Sequence, residues 1–459
     1  MFTLHWFDIL LISSYFLVLI GLSFYKNRTS QHEEHFLLSG RKLTLPAFVA
    51  TLVSTWYGGI LGVGEFTWLY GVSQWIAMGL PYYFFAILFA IFIAGKVRRN
   101  PALTIPEAVR NSYGEKAGQV SAVLIFLLTN PAPYILMVAL LAQILLGTGS
   151  FLIIAILVAG FSALYVGFGG FTAVVRTDML QVIMMYGGFF MLIVFTWIVW
   201  GNPLDMWNQL PETSTDPTGG QPITWLIVWF FIAMWTFVDP SFHQRAAAAK
   251  NEKIAKNGIL TSVGLWFVFD MLTLTTALYG VVYLSDLDNP VLVYPEIAIT
   301  VLPVGLTGLF FLALLATIMS TLDSFLFISG QTLGRDLFKH LVPSGNVITL
   351  TRWGIAVSAL ASIVLVWLIP SVIDIWYIVG SILIPGLIIP VVGIYLPMLR
   401  IRSERVVIQL TIPVIISFTW FLTSHFGLDG EQSLLNIEPF YPGLLAAALL
   451  FLIFKEKSE

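Results

Sequence analysis

Apolar runs long enough to cross a lipid bilayer recur along almost the whole chain. A helix needs roughly 20 apolar residues to cross the hydrocarbon core. Read against the polar breaks between them, the runs predict thirteen helical spans. The predicted spans are 6–25, 43–70, 74–95, 118–146, 150–168, 172–200, 222–244, 258–284, 297–330, 350–369, 373–396, 406–424 and 440–454. This pattern predicts an all-α, polytopic membrane protein with a single transmembrane domain over residues 1–459.

The distribution of positive charge predicts how these spans are oriented. If the N-terminus faces outward, all 22 Lys and Arg residues fall in inward segments. The outward segments 201–221 and 285–296 then contain none. Because basic residues concentrate on the inner side of a membrane, we predict an N-out, C-in protein of the cell (inner) membrane.

Composition excludes several other classes of protein. Only 10% of the residues are charged, whereas a soluble domain carries about 25%. The net charge of −3 comes without a basic stripe, so no nucleic-acid partner is predicted. The absence of cysteine excludes disulfides and thiolate metal sites.

Five acidic residues fall at membrane depth: Glu65, Asp178, Asp239, Asp270 and Asp323. No Lys or Arg is predicted inside a span to pair with them. Since ionisable groups are costly at this depth, each one is a functional hypothesis. They can be protonated carboxyls, structural hydrogen-bond acceptors or sites for a cation, and the set as a whole favours a cation pathway.

Span 9 carries a row of hydroxyl groups. Thr317, Ser320, Thr321 and Ser324 recur at three- and four-residue spacing and therefore share one helical face, which Asp323 borders. Hydroxyl and carbonyl oxygens are the ligands of a hard cation. The alternative is that these small residues serve helix packing.

Span 2 contains the adjacent glycines Gly58 and Gly59 near mid-membrane. Glycines at this depth can break a helix and free its carbonyls for a cation and its amides for an anion. Close helix packing at glycine is the alternative interpretation.

Three motifs resemble the sodium:solute symporter family. Residues 169–181 (GGFTAVVRTDMLQ) are similar to its GG…TD..Q signature, and 318–321 (IMST) to its span-9 sodium motif. Residues 239–250 resemble its DP…QR..AAK stretch after span 7. The resemblance implies a leucine-transporter-type core of two inverted five-helix repeats, residues 42–200 and 222–396. Residues 1–26 and 405–459 would form peripheral helices.

The resemblance also implies Na+ as the coupling ion and a set of residues that bind it. The principal site would use carbonyls of spans 2 and 9 and two span-9 hydroxyls. A second sodium or a relay would involve an aspartate of span 6 and two further span-9 residues, one of them an aspartate where family members have serine. The principal ligands are Leu52, Thr55, Thr317, Ser320 and Thr321, and the second set is Asp178, Asp323 and Ser324.

The predicted substrate site lies beside the glycine pair. A sugar is disfavoured, because the sugar transporters of the family carry a polar residue where Gly59 aligns. Span 4 also lacks the arginine of the sialic-acid type, so a carboxylate would depend on helix-end amides and hydroxyls. The predicted substrate-binding residues are Trp56, Tyr57, Gly58, Gly59, Tyr134, Trp235 and Asp270.

These features predict a sodium-coupled secondary active symporter that imports a small organic solute, such as an amino acid or small carboxylate, by alternating access. A proton-coupled carrier on the same fold, with Asp178 or Asp323 as relay, is the nearest alternative. A membrane sensor that binds solute without moving it is another. No enzyme is predicted, because the chain has neither an H-E-x-x-H pair nor a cysteine. The sequence leaves the solute and the oligomeric state open.

Overall fold

The computed structural model describes residues 5–24, 33–147, 149–284, 287–425 and 437–456. Within these ranges the fold is all-helical, and the two strand-like pairings are the isolated bridges Leu43–Ala249 and Ile401–Lys455. The α-helices are α1 Trp6–Phe24, α2 Glu33–Leu38, α3 Leu45–Trp56, α4 Ile60–Tyr70, α5 Leu80–Phe92, α6 Ala94–Arg99, α7 Ile105–Tyr113, α8 Glu115–Leu128, α9 Ala132–Leu146, α10 Phe151–Trp200, α11 Pro203–Trp207, α12 Glu212–Thr215, α13 Ile223–Ile232, α14 Pro240–Ala248, α15 Glu252–Tyr283, α16 Val293–Val301, α17 Leu306–Gln331, α18 Lys339–Leu341, α19 Val347–Leu368, α20 Val372–Tyr395, α21 Val406–His425 and α22 Phe440–Phe454. The 3₁₀ turns are Ser39–Arg41, Tyr57–Gly59, Ala233–Phe237, Pro290–Leu292, Pro397–Leu399 and Ser403–Arg405, and the π-helical segments are Trp75–Gly79 and Thr332–Phe338.

Ten helical stretches in the described part of the chain are long and apolar enough to cross a membrane. One of them, α10, has 50 residues. A straight helix of that length would measure about 75 Å, more than twice the roughly 30 Å hydrocarbon core. The helix is kinked at Gly170, whose φ of 64° suits glycine. The predicted spans 150–168 and 172–200 are therefore the two arms of one kinked helix, with no loop between them.

The predicted span 297–330 is wrong at its start. Residues 293–301 form the separate helix α16, and α17 begins only at Leu306. Pro303 has no amide hydrogen to continue a helix, and Gly305 adopts a φ of 87°. Helix α17 contains a completely buried 18-residue stretch and packs against α1, α3 and α10 at the centre of the bundle.

The second and seventh predicted spans are each interrupted in the middle by a 3₁₀ turn. In the second span, Tyr57–Gly59 separates α3 from α4. In the seventh, Ala233–Phe237 and a short turn separate α13 from α14. Gly59 keeps near-helical dihedrals (φ −82°, ψ 17°), so the glycine pair changes the type of helix and does not unwind it.

Ion pairs and hydrogen bonds join the loops at one end of the bundle, which we call the basic end. Arg335 pairs with Glu33 at 2.7 Å and with Glu107 at 2.9 Å. Arg41 donates to the carbonyls of Asn100 and Pro101 at 3.1 and 2.8 Å. These contacts hold together α2, α7 and the π-helical segment that follows α17.

Candidate functional site

A cavity of about 880 Å³, including its mouth, lies beside the interrupted middles of the second and seventh spans. Eight of its seventeen lining residues are aromatic, and the polar part includes two carboxylates. The lining residues are Thr55, Trp56, Tyr57, Gly59, Val63, Gln74, Met78, Tyr82, Tyr134, Trp229, Ile232, Trp235, Asp239, Ser241, Asp270, Phe325 and Trp376.

The aromatic wall is assembled from several helices. The ring centroids of Trp56 and Tyr82 are 4.7 Å apart, and those of Tyr134 and Phe325 are 5.2 Å apart. A Cβ atom on Gly59 would collide with the indole of Trp376. Glycine at position 59 therefore allows the Trp376 ring to lie over the 3₁₀ turn and form part of the wall.

Asp270 of α15 is 4% exposed and faces the cavity. Its Oδ1 accepts a hydrogen bond from the Tyr57 hydroxyl at 2.8 Å, and its Oδ2 accepts one from the Tyr83 hydroxyl. The Tyr57 oxygen is also 2.8 Å from the Trp266 carbonyl. The carboxylate is thus oriented by the 3₁₀ turn of the second span and by α5.

Asp239 is the second carboxylate of the lining and the N-cap of α14. Its Oδ1 accepts the Ser241 amide at 2.7 Å, as N-cap aspartates do. Neither Asp239 nor Asp270 forms an ion pair with a described residue.

Arg245 contradicts two predictions. One placed it in an inward loop, and the other stated that no basic residue lies inside the bundle. It lies in α14 and is completely buried. Its Nη2 is 3.9 Å from Asp178 Oδ2. The same nitrogen donates to the hydroxyls of Thr55 at 2.8 Å and Ser324 at 2.7 Å. Asp178 is therefore compensated by a basic residue that was predicted to be missing.

Asp178 also accepts hydrogen bonds from two hydroxyls. Ser320 donates to Oδ1 at 2.6 Å, and Thr51 donates to Oδ2. Together with the guanidinium of Arg245, these contacts join α3, α10, α14 and α17 at one buried point. Thr51 and Arg245 were not among the predicted site residues.

The predicted sodium ligands lie where α17 faces the second span. The Thr321 hydroxyl is 2.7 Å from the Thr55 carbonyl, so two predicted ligands are in direct contact. Ser320 is adjacent but is bonded to Asp178. The hydroxyl of Thr317, whose carbonyl is the predicted ligand, donates to Ala313 within its own helix. Leu52 lies on α3 and is buried.

Asp323 is buried on α17 without a hydrogen-bond partner for either carboxylate oxygen in the described part of the chain. The buried Tyr165 hydroxyl lies close enough to interact with this carboxyl group. Asp178 is the neighbouring acid. An unpaired charge in such a place is very costly, so Asp323 is expected to carry a proton or to meet a cation there.

The predicted substrate residues mostly converge on the cavity. Gly58 is the exception, because it faces Thr321 instead. Several lining residues were not predicted as substrate contacts, and most of them come from other helices or from the far sides of breaks. The predicted residues in the lining are Trp56, Tyr57, Gly59, Tyr134, Trp235 and Asp270; those missed include Gln74, Tyr82, Trp229, Phe325 and Trp376.

Two solved structures show which fold this arrangement belongs to. A Na+-coupled sialic acid symporter, solved in a substrate-bound outward-open state, superposes with a TM-score of 0.80 at 15% identity, covering 98% of this chain and 97% of that one. Mhp1, a nucleobase-cation-symport-1 family transporter, gives 0.61 at 16% identity, covering 92% and 96%. The protein is thus a helical membrane protein of the leucine-transporter-type fold.

The family follows from the sequence. The model of the sodium:solute symporter family matches residues 36–392, so the chain belongs to that family, as its motifs predicted.

Named relatives agree with this assignment. The chain is 26% identical over 428 residues to sodium/glucose cotransporter 4 of Danio rerio, covering 80% of this chain and 63% of that protein. It is 24% identical over 381 residues to the high-affinity proline transporter PutP of Bacillus subtilis (strain 168), covering 76% and 78%. The mouse sodium/glucose cotransporter 4 is covered over 55% of its length. The chain therefore spans somewhat more than half of the sodium/glucose cotransporters it matches.

Proposed function

We propose that the protein is a sodium-coupled symporter of the cell (inner) membrane that imports a small organic solute by alternating access. The contact between the Thr321 hydroxyl and the Thr55 carbonyl is the observation that carries the proposal. It supports the proposal because it joins a hydroxyl of α17 to the interrupted second span at Thr55, which also lines the cavity. Sodium bound there would hold the two elements together and order the cavity wall.

The proposed topology has thirteen spans, an outward N-terminus and inverted repeats over 42–200 and 222–396. The kink at Gly170 supports two crossings within α10. Each repeat would begin with a span interrupted by a 3₁₀ turn. Five spans per repeat make the second repeat start from the opposite side, which agrees with the charge distribution.

Single cysteines test this orientation, and the chain needs no prior removal of cysteine. Lys253 and Asp288 are both exposed, and they lie near opposite ends of α15. In whole cells, a membrane-impermeant thiol reagent is expected to label Asp288→Cys and to label Lys253→Cys only after permeabilisation. External labelling at Lys253 would overturn the topology.

This topology would make the structure outward-facing. Val63, Gln74 and Trp229, which line the cavity, would then lie in the outer half of the bundle. At the basic end, the contacts of Arg335 and Arg41 join neighbouring elements. Inward release of solute would require those contacts to separate.

Replacing the span-9 hydroxyls tests the sodium site. In Ser320→Ala and Thr321→Ala, one proposed ligand is removed and the helix is kept, because alanine is a good helix former. We expect the sodium concentration for half-maximal uptake in proteoliposomes to rise about tenfold, equivalent to about 1.4 kcal/mol. Substrate affinity should fall only when sodium is limiting, since coupling between two ligands is reciprocal.

Thr276→Ala is the matched control, because Thr276 is a buried helical threonine outside the cavity that donates to Leu272 in its own helix. Its sodium dependence should equal that of the wild type. If Ser320→Ala and Thr321→Ala also match the wild type, these hydroxyls are packing residues and the proposed site is wrong.

Proton coupling is the second candidate function, and the Asp323 carboxyl group favours it, because it is buried and forms no ion pair with a described residue. A carrier of this kind would take up solute without sodium under an inward proton gradient. Asp323→Asn would abolish that uptake. If this result is obtained and Ser320→Ala and Thr321→Ala keep the sodium dependence of the wild type, the coupling ion is a proton and not sodium.

A further inference from the structure

We propose that the solute is a small organic cation, whose ammonium group lies among the aromatic rings and carboxylates of the cavity. This inference rests on the proposed transport function and specifies its substrate class.

The charge of the cavity wall is the first reason. Two carboxylates, Asp239 and Asp270, line it, and none of its described lining residues is Lys, Arg or His. The buried Arg245 bonds through its Nη2 to Thr55 and Ser324 and lies beside Asp178, and its charge also acts on Asp239 without forming an ion pair. It does not reach Asp270, which has no basic partner among the described residues. Buried charge requires a partner, and a cationic solute would provide one.

The placement of Asp270 is the second reason. Hydroxyls of Tyr57 and Tyr83 hold its two oxygens, and the Trp75 indole nitrogen lies 3.3 Å from the Tyr83 oxygen. The carboxylate is therefore fixed in position before any solute arrives. A preformed acceptor of this kind favours binding, because little conformational freedom remains to be lost.

The aromatic wall is the third reason. Trp56, Tyr57, Tyr134, Trp235 and Trp376 all line the same cavity as the two carboxylates. The faces of such rings attract ammonium groups through their quadrupoles, and clusters of them recognise quaternary ammonium ions. Together, the rings and carboxylates match a group that is both cationic and apolar.

The same wall disfavours a simple carboxylate anion. Recognition of carboxylates relies on charged donors, and the described lining contains no basic side chain. The predicted substitute was a set of free amides near Gly58 and Gly59. The turn there is a 3₁₀ helix, and the Ile60 amide already donates to the Tyr57 carbonyl. An anion would also be repelled by Asp239 and Asp270.

Four probes of one shape test the inference: choline, 3,3-dimethylbutylammonium, 3,3-dimethyl-1-butanol and 3,3-dimethylbutyrate. The first two are cations, the third is neutral and the fourth is an anion. Thermal unfolding of the purified full-length protein is measured in detergent at saturating sodium. We expect at least one of the cations to raise the unfolding temperature, and neither the alcohol nor the acid to do so.

Substitution of the carboxylates locates the binding. In Asp270→Asn and Asp239→Asn the charge is removed, and asparagine still serves as an N-cap at position 239. Each variant should weaken cation binding at least tenfold in a titration of the unfolding temperature. Asp374→Asn removes an exposed carboxylate outside the cavity and should bind the cation as the wild type does.

Three outcomes would overturn the inference: stabilisation by the alcohol or the acid, no stabilisation by either cation, or wild-type affinity in both cavity variants. A separate measurement distinguishes failure of this inference from failure of the proposed sodium symport. It compares the unfolding temperature in sodium with that in potassium, both without an organic cation. If sodium stabilises the protein and no cation binds, symport stands and the substrate class is wrong.

Discussion

Arg245→Met is expected to destabilise the protein by about 3–5 kcal/mol, the usual cost of breaking a buried ion pair from one side. The variant would leave Asp178 buried without its basic partner and would remove donors to Thr55 and Ser324. We expect a large fall in the thermal unfolding temperature of the purified protein. Folded yield in detergent, followed by size-exclusion chromatography, should fall with it.

Two further variants test whether this loss of stability comes from breaking the buried ion pair. Asp178→Asn combined with Arg245→Met removes both charges and should recover part of the stability, as coupled neighbours do in a double-mutant cycle. Arg99→Met breaks the exposed pair with Glu252, and such surface pairs contribute only about 0–1 kcal/mol. If Arg245→Met is no less stable than Arg99→Met, Asp178 is neutral in the native protein.

Hydrophobic patterning predicted the class of fold because the bilayer imposes both a length and a polarity on each helix. The motifs at 169–181, 239–250 and 318–321 predicted the family, which the comparison over residues 36–392 confirms. Among the candidate site residues, the hydroxyl face of span 9 could be read from helical spacing alone. In the structure, the Thr321 hydroxyl on this face contacts the Thr55 carbonyl.

Arg245 shows what patterning could not supply. It follows Asp239-Pro240, which begins a new helix, and four alanines follow it. The distribution of positive charge assigns such an arginine to the inner surface of the membrane. In the structure, Arg245 lies in α14 and is buried in the bundle. The run of alanines was the available signal, because small residues allow close packing of helices. Its acidic partner, Asp178, is 67 positions earlier in the chain, so no local pattern could join them.

The cavity wall was only partly predictable for the same reason. Tyr57 and Asp270 are 213 positions apart, and Tyr83 is 187 positions from Asp270. The breaks at Pro303 and Gly305 also shifted the start of the ninth span, although the residues that carry the hydroxyls kept their register. Long-range contacts of this kind depend on how the repeats pack, which periodicity within one helix does not specify.

Gly58→Ala is expected to weaken sodium binding at the proposed site tenfold or more, because it forces α17 and the second span apart. A Cβ at position 58 would collide with Cβ, Oγ1 and Cγ2 of Thr321. Threonine is β-branched and stiff at χ1, so the clash cannot be relieved by moving the end of a flexible side chain. Helix α17 or the 3₁₀ turn must move, and overpacking of this kind typically costs about 1–3 kcal/mol. The Thr321 hydroxyl would then separate from the Thr55 carbonyl.

The measurement is sodium-dependent stabilisation of the purified protein, with sodium titrated against potassium. We expect the sodium affinity of Gly58→Ala to fall tenfold or more. Gly187→Ala is the matched control, because Gly187 lies in α10 with open space around its Cβ position and alanine favours the helix. If Gly58→Ala is as stable as Gly187→Ala and binds sodium like the wild type, α17 can recede from the second span without loss of the ion. Sodium would then bind away from the Thr321–Thr55 contact, because a site built on that contact cannot survive its separation.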